Sequence, residues 1–227
     1  MSVFSDVSNQ GQWWGVQNKQ MLPLHALNKL RLEYIKGKVA NLQGVKILDY
    51  GCGGGLLCEP LARHGAKVVG FDENHDCINA AQSHAKAQAL DIFYSSLEPQ
   101  ASHGLFDIVC CFEVLEHVKK PDILIKQLVN LVKKDGLIFV STINKNLASL
   151  LLVKFAAEYL LKIAPRGLHD ADMFIEPRKL IKLFAEQNCS CLDIAGVNYN
   201  PISNAAKLSG GIKKHLTTNY ISYFIKS

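Results

Sequence analysis

Apolar positions along the chain follow two periods, one typical of buried strands and one typical of amphipathic helices. After a helical lead-in over residues 1–44, continuous apolar runs alternate with segments of helical spacing. Strands are predicted at Val45–Tyr50, Lys67–Asp72, Ile92–Tyr94, Phe106–Phe112, Leu137–Thr142, Cys191–Val197 and Tyr220–Ile225. Helices are predicted at Leu56–His64, Cys77–Ala89, Pro121–Lys133 and Pro177–Gln187.

This alternation is typical of α/β proteins, in which right-handed crossovers place helices on both faces of the sheet. The pattern therefore predicts a seven-stranded, mostly parallel sheet. Because no repeat or linker interrupts it, we expect a single domain over residues 1–227, with an apolar insertion at residues 145–170.

Composition narrows the class of protein. Hydrophobic residues make up 48% of the chain and charged residues 20%, which excludes a disordered polypeptide. The net charge of +5 comes from dispersed lysines, so we do not expect nucleic acid as a partner. Seven cysteines without a C-x-x-C pair indicate reduced thiols in the cytoplasm, and the first eleven residues lack the features of a secretory signal.

A glycine-rich turn follows the first predicted strand. Asp49 ends that strand, and Gly51, Gly53 and Gly55 occupy alternate positions of the turn. Glycine permits positive φ and the close approach of a ligand. Asp72, at the end of the next strand, is placed to bind both hydroxyls of a ribose. The sequence thus predicts a nucleotide site, and the alternative is a tight turn in which Asp72 caps the following helix.

The turn departs from the dinucleotide fingerprint, which requires a third glycine where this chain has Leu56. A nicotinamide oxidoreductase is therefore disfavoured. A protein that senses a nucleotide cofactor without catalysis is a second alternative that the sequence leaves open.

The D-x-G-x-G-x-G loop resembles that of the class I methyltransferases, in which the amino-acid tail of S-adenosylmethionine lies against the glycines. From about Trp13 onward the chain is similar to the ubiquinone biosynthesis O-methyltransferases. The shared stretches are Trp13-Trp14, Pro23-Leu24-His25, Leu30-Arg31-Leu32, Glu113–Val118, Ser141–Asn144, His169-Asp170 and Tyr199–Ile202.

The resemblance implies a Rossmann-like fold and methyl transfer from S-adenosylmethionine. The acceptors implied are phenolic hydroxyls of polyprenylated catechol or hydroquinone intermediates, namely 2-polyprenyl-6-hydroxyphenol and 3-demethylubiquinol. N- or C-methylation of another small molecule is the alternative within this fold, because a fold does not dictate the acceptor.

Further cofactor and substrate residues follow from the resemblance alone. Arg31 would reach the cofactor, where a guanidinium suits its carboxylate, and the alternative is a solvated residue on a helix face. Val114 would lie beside the adenine. Candidate residues of the substrate pocket are His25, His169, Tyr199 and Asn200.

Glu113, Glu116 and His117 follow the fourth strand, whose carboxyl end faces the ligand crevice in a doubly wound sheet. Two carboxylates and an imidazole could hold a divalent ion such as Mg²⁺, which would lower the pKa of a phenol. Without a metal, His117 could act as general base. The third alternative is that the group caps the following helix.

The stretch Leu147–Ile163 is too short for an ordinary membrane span and is interrupted by Lys154, Glu158 and Lys162. At helical spacing these three form one narrow stripe on an apolar helix, as in interfacial anchors. Given the lipid substrate that the resemblance implies, we expect this helix to dock on the anionic inner membrane surface. A buried core helix is the alternative, and other proteins of ubiquinone biosynthesis are further expected partners.

Overall fold

The computed structural model describes residues 13–15, 21–101, 104–145, 174–210 and 218–227. The helices are α1 (Leu22–Lys36), α2 (Cys58–Arg63), α3 (His75–Ala87), α4 (Pro121–Leu131) and α5 (Pro177–Ala185). The strands are β1 (Lys46–Tyr50), β2 (Lys67–Phe71), β3 (Phe93–Ser95), β4 (Phe106–Phe112), β5 (Val132–Ile143), β6 (Cys189–Asn200), β7 (Ala205–Ser209) and β8 (Asn219–Lys226).

The chain divides into two compact units. The first comprises Met1–Cys110 and Tyr199–Lys207, and the second comprises Cys111–Asn198 and Leu208–Ser227. The expectation of a single domain over residues 1–227 stays a prediction.

Parallel strands in the order β3-β2-β1-β4 form the sheet of the first unit. In this register Asp49 lies beside Gly70 and Tyr50 beside Phe71, so β1 and β2 end together. Four of the five residues of β1 are buried, as expected of a parallel strand covered on both faces. The turn after β1 and the residue after β2 are consequently held at the same edge.

Antiparallel pairing distinguishes the second unit, in which β8 lies between β5 and β6. The pairing of β5 with β8 is continuous from Leu137 opposite Ile225 to Ile143 opposite Asn219. Phe184 of α5 stacks on Phe224 of β8 with ring centroids 3.9 Å apart, and both side chains are fully buried. The start of β8 is held by the pairing of Asn219 with Ile143.

The described residues form eight strands, so the predicted number of seven is wrong. The missed strand, β7, pairs at the edge of the sheet and contains no β-branched residue. Its one large apolar side chain, Leu208, is exposed. Without a buried face the strand lacks the alternation that sequence patterns detect.

The remaining differences are shifts of element boundaries. Helix α2 begins at Cys58 rather than Leu56, because the glycine turn continues for two further residues. Helix α4 ends at Leu131, and β5 begins at Val132, five residues before its predicted start. Among the described residues no helix is long and apolar enough to cross a membrane, and Leu147–Ile163 lies outside them.

Candidate active site

The glycine turn closes the end of β1 against the end of β2. The backbone N–H groups of Gly51 and Cys52 both donate to the carbonyl of Phe71, at 2.7 and 2.9 Å. Gly51 and Gly53 adopt φ values of 81° and 52°, a region that costs other L-residues energy. The turn therefore depends on glycine at these positions and presents its backbone at the sheet edge.

Asp72 joins the turn to the next helix. Its Oδ2 accepts from the N–H of Gly53 and its Oδ1 from the N–H of Asn74, both at 2.9 Å. Burial raises the pKa of this half-buried carboxyl, while the two N–H donors oppose the rise. A carboxylate oxygen can accept two hydrogen bonds, so each oxygen keeps one acceptor position for a diol.

The alternative in which Asp72 caps α3 is wrong. The N-cap of this helix is Asn74, whose side-chain oxygen accepts from the N–H of Asp76 at 2.9 Å. The Asp72 carboxylate thus keeps acceptor positions for a ligand, and its binding of a ribose stays a prediction.

A buried acid lies directly under the turn. Asp49 is fully enclosed, and burial raises its pKa to about 6, against the opposing effects of the Cys58 thiol and the Arg31 charge. Cys58 donates to Asp49 Oδ2 at 3.3 Å. Arg31 is also buried, with Nη1 donating to Asn28 Oδ1 at 3.1 Å, so the alternative of a solvated arginine is wrong.

Tyr94, on β3, was not singled out from the sequence. Its side chain is buried, and its hydroxyl has no hydrogen-bond partner among the described residues. The hydroxyl fills the space that a Cβ on Gly55 would need. No sequence pattern marks this contact, because it joins residues of different elements.

These residues fit an S-adenosyl group. Asp72 offers two acceptors to a ribose diol, and the buried Arg31 offers a cationic fork to a carboxylate tail. The specific contacts of Arg31, Asp49 and the loop glycines with a cofactor stay predictions.

The second unit holds the acidic cluster. Glu113 lies just after β4 with φ of 56°, and its carboxylate accepts from Ser141 Oγ at 2.6 Å and from Asn219 Nδ2 at 3.0 Å. Glu116 is buried, accepts from Thr142 Oγ1 at 2.8 Å and is hydrogen-bonded to Glu113.

The two carboxyl groups are not equivalent. Burial and the neighbouring Glu113 charge raise the pKa of Glu116 well above its ordinary value. Glu116 is therefore the member of the pair whose neutral form is favoured, and Glu113 accepts hydrogen bonds from two uncharged donors, Ser141 and Asn219. Sequence reasoning placed both residues at the site but did not reveal this difference or the role of Asn219.

His117 ends a single turn of 3₁₀ helix, Leu115–His117, after β4. The residue as a whole is exposed, but partial burial of its ring disfavours the charged form and lowers the pKa of His117. The charge of Glu113 partly offsets this effect. The imidazole is consequently neutral near pH 7 and able to accept a proton.

The residues do not fit the expected metal site. In the part of the chain that the structure describes, no three His, Cys, Asp or Glu side chains form a group that could hold a metal ion. Glu116 is buried, and its raised pKa disfavours the carboxylate form that a metal ion would bind, while Glu113 accepts hydrogen bonds from Ser141 and Asn219. We therefore derive no step through a metal.

The other predicted residues are dispersed. Val114 is half-buried after β4, and His169 lies outside the described residues. Tyr199 donates to Asn204 Oδ1 at 2.9 Å, and Asn200 Oδ1 accepts from the N–H of Ile202 at 2.9 Å. These contacts close the turn between β6 and β7, and a substrate role for Tyr199 or Asn200 stays a prediction.

The Asp72→Ala variant tests the cofactor site. Charge-assisted hydrogen bonds are worth about 1.5–3 kcal/mol each, so losing two should weaken S-adenosylhomocysteine binding by about a hundredfold or more. Calorimetric titration measures this, with Asp76→Ala, an exposed acid in the first turn of α3, as the control. Unchanged affinity in a folded Asp72→Ala variant would show that the assignment is wrong.

Comparison with known proteins identifies the family. A family model described as a methyltransferase domain matches residues 20–194. The ubiquinone biosynthesis O-methyltransferase of Glaesserella parasuis is 39% identical over 92% of this chain and 90% of its own length. That of Coxiella burnetii is also 39% identical, over 99% and 94%.

Solved structures show the fold. Magnesium protoporphyrin IX methyltransferase from Synechocystis, with bound SAH, superposes with a TM-score of 0.72 at 20% identity, over 99% of this chain and 93% of that one. Likeness at this identity concerns the fold alone, which is the Rossmann-like methyltransferase fold. From the closer relatives and the matched domain, we conclude that the chain belongs to the ubiquinone biosynthesis O-methyltransferases, within the methyltransferase-domain family.

Proposed function

We propose that this S-adenosylmethionine-dependent O-methyltransferase methylates phenolic hydroxyls of polyprenylated catechol and hydroquinone intermediates, 2-polyprenyl-6-hydroxyphenol and 3-demethylubiquinol. The observation that carries the proposal is the 39% identity, over more than nine-tenths of the chain, to proteins named ubiquinone biosynthesis O-methyltransferases. The His117 imidazole, whose pKa is lowered, and the Glu113 carboxyl group held by Asn219 support it, because a phenol must lose its proton to become a good nucleophile.

In this reaction His117 is the base. Its neutral imidazole accepts the phenolic proton, and the resulting imidazolium is stabilised by the nearby Glu113 charge, which raises the pKa of the ring. Ser141 and Asn219 hold the Glu113 carboxylate in place from two sides. The proton therefore moves from the phenol to a site already prepared for positive charge.

Asp72 and the glycine turn bind and orient the methyl donor. When bound, S-adenosylmethionine supplies an electrophilic methyl group, which forms a bond to the phenolate oxygen as its bond to sulfur breaks and S-adenosylhomocysteine leaves. Orientation of such a pair is worth about 7–11 kcal/mol in favourable cases. The chain's main contributions are thus positioning and removal of one proton.

We further propose that the segment Leu147–Ile163 brings the protein to the anionic inner membrane surface, where a polyprenyl tail resides. The segment is apolar except for one stripe, Lys154, Glu158 and Lys162. Extracting an isoprenoid chain into water would cost about 0.8 kcal/mol for each exposed methylene. Lysines near anionic lipid would add about 1 kcal/mol each, an attraction that salt weakens.

The acceptor is tested by a methylation assay with a short-chain polyprenyl catechol and labelled S-adenosylmethionine. We expect one methyl ether per turnover, with no product from the same catechol when its hydroxyls are already methylated. Anilines and enolisable ring analogues of matched prenyl length supply the comparison. Transfer to nitrogen or carbon with none to the catechol would contradict the proposal and favour another small-molecule methyltransferase.

The different roles of the two carboxyl groups are tested by the same change, glutamate to glutamine, at each position. Glu116→Gln should leave kcat/KM within about threefold of wild type, because the raised pKa of Glu116 favours a neutral acid, which the amide resembles, and the amide oxygen keeps the contact with Thr142. Glu113→Gln should lower kcat/KM by about a hundredfold. The substitution removes the negative charge, and it places the new amide NH₂ group opposite one of the two donors, Ser141 Oγ or Asn219 Nδ2.

A metal mechanism predicts a different outcome for the same variants. If a divalent ion were bound by this cluster, Glu116→Gln would be as damaging as Glu113→Gln, and excess chelator would abolish turnover. Equal loss in the two variants together with inhibition by chelator would overturn the assignment of Glu116 as a neutral partner.

Membrane docking is tested by flotation with phosphatidylglycerol vesicles. At low salt the wild type should float and the Leu152→Glu and Leu160→Glu variants should not, because each places a charge on the apolar face. Leu192→Glu, which changes an exposed leucine on β6, is the matched control and should still float. Wild-type protein that stays at the bottom of the gradient, or folded variants that float equally, would contradict docking.

A further inference from the structure

An aromatic pair, Trp13 and Trp14, is seated on the glycine turn. The Trp13 ring is 4% exposed and occupies the space in which other residues would carry a side chain on the turn. A Cβ on Gly53 would lie 2.8 Å from Trp13 Cη2, and one on Gly54 would lie even closer to the ring. The rigid indole and the two glycines therefore fit each other, and a side chain at either glycine would displace the indole.

Trp14 attaches the pair to the turn and to the helices behind it. Its indole Nε1 donates to the carbonyl of Gly54 at 3.2 Å. Its ring stacks on His84 of α3, with centroids 4.0 Å apart and planes within 1° of parallel. His84 in turn contacts Glu59, a fully buried residue of α2 that also accepts from Arg63 Nη2 at 3.1 Å.

His25 holds the pair from the other side. Its Nε2 lies 3.0 Å from the carbonyl oxygen of Trp13, and since a carbonyl only accepts, Nε2 carries the proton. The imidazole also meets Trp14 edge to face at 6.4 Å. His25 therefore contacts both tryptophans, and the substrate-pocket role that the resemblance implies for it stays a prediction.

We propose that Trp13 and Trp14 are positioning residues for the cofactor, which set the glycine turn in its binding conformation. A turn with three consecutive glycines has unusual backbone freedom, and ordering it on ligand binding costs affinity. The indoles packed on the turn remove that freedom before the cofactor binds. Cofactor affinity therefore depends on whether the tryptophan pair is packed against the turn. The inference rests on the proposed binding of the S-adenosyl group at this turn.

The chain contains two tryptophans, and both belong to the pair, so intrinsic fluorescence reports on it directly. Titration of the full-length protein with S-adenosylhomocysteine should change the emission with the same Kd that calorimetry gives. Trp13→Leu should weaken binding by about tenfold or more, and Trp14→Phe, which keeps a ring on His84 but loses the bond to Gly54, by a smaller factor. Phe93→Leu, at an exposed aromatic on β3, should match wild type.

A double-mutant cycle separates positioning from general stability. Gly54→Ala should expel the indole, giving red-shifted emission from the solvated ring and about the same loss of affinity as Trp13→Leu. The combined variant should lose no more than either one, because both disrupt the same contact. A merely structural defect would lower thermal stability without this non-additive loss of affinity.

Two outcomes are distinguishable. If Asp72→Ala abolishes S-adenosylhomocysteine binding while folded Trp13→Leu and Gly54→Ala bind within twofold of wild type, the positioning role is wrong and the cofactor site stands. If Asp72→Ala binds normally, the cofactor site itself is misassigned. Should Trp13→Leu fail to fold, Trp14→Phe and Gly54→Ala decide, and wild-type affinity in both would overturn the inference.

Discussion

The hydrogen bond from the backbone of Gly53 to the carboxylate of Asp72 is the contact on which the first unit's site depends. It joins the turn after β1 to the residue after β2, two strands whose ends are brought level by the pairing of Tyr50 with Phe71. A glycine-rich turn has many conformations open to it, and each must be excluded for a ligand to find a fixed surface. An acid at the end of the neighbouring strand selects one of them and keeps acceptors for the ligand.

Buried acids are handled differently in the two units. In the first, Glu59 remains compensated by ionic and imidazole partners, Arg63 and His84. In the second, Glu116 has no basic partner among the contacts described, and its raised pKa favours the neutral form, which accepts a hydrogen bond from Thr142. Both arrangements avoid an unpaired buried charge, which would cost several kcal/mol. In the second unit Glu116 is also hydrogen-bonded to Glu113, the carboxyl group that Ser141 and Asn219 hold.

The order of strands and helices and the cofactor turn could be predicted from sequence, because buried parallel strands and glycine turns leave local patterns. Strand β7 could not, since its exposed edge position leaves no such pattern. The difference between the Glu113 and Glu116 carboxyl groups and the packing of Trp13 on the glycine turn could not be predicted either. Asn219 meets Glu113 across 106 residues and Trp14 meets Gly54 across 40, so these contacts depend on the assembled fold.

The left-handed backbone of Glu113 also constrains how this protein can diverge. A non-glycine residue in that conformation stores about 1–2 kcal/mol, and here the bonds from Ser141 and Asn219 retain it. Asparagine and aspartate enter this region readily, whereas β-branched residues are nearly excluded. Few residues can therefore replace Glu113 in proteins that evolve from this one. A change of methyl-accepting substrate must then come from substitutions in the surrounding loops, while position 113 changes slowly.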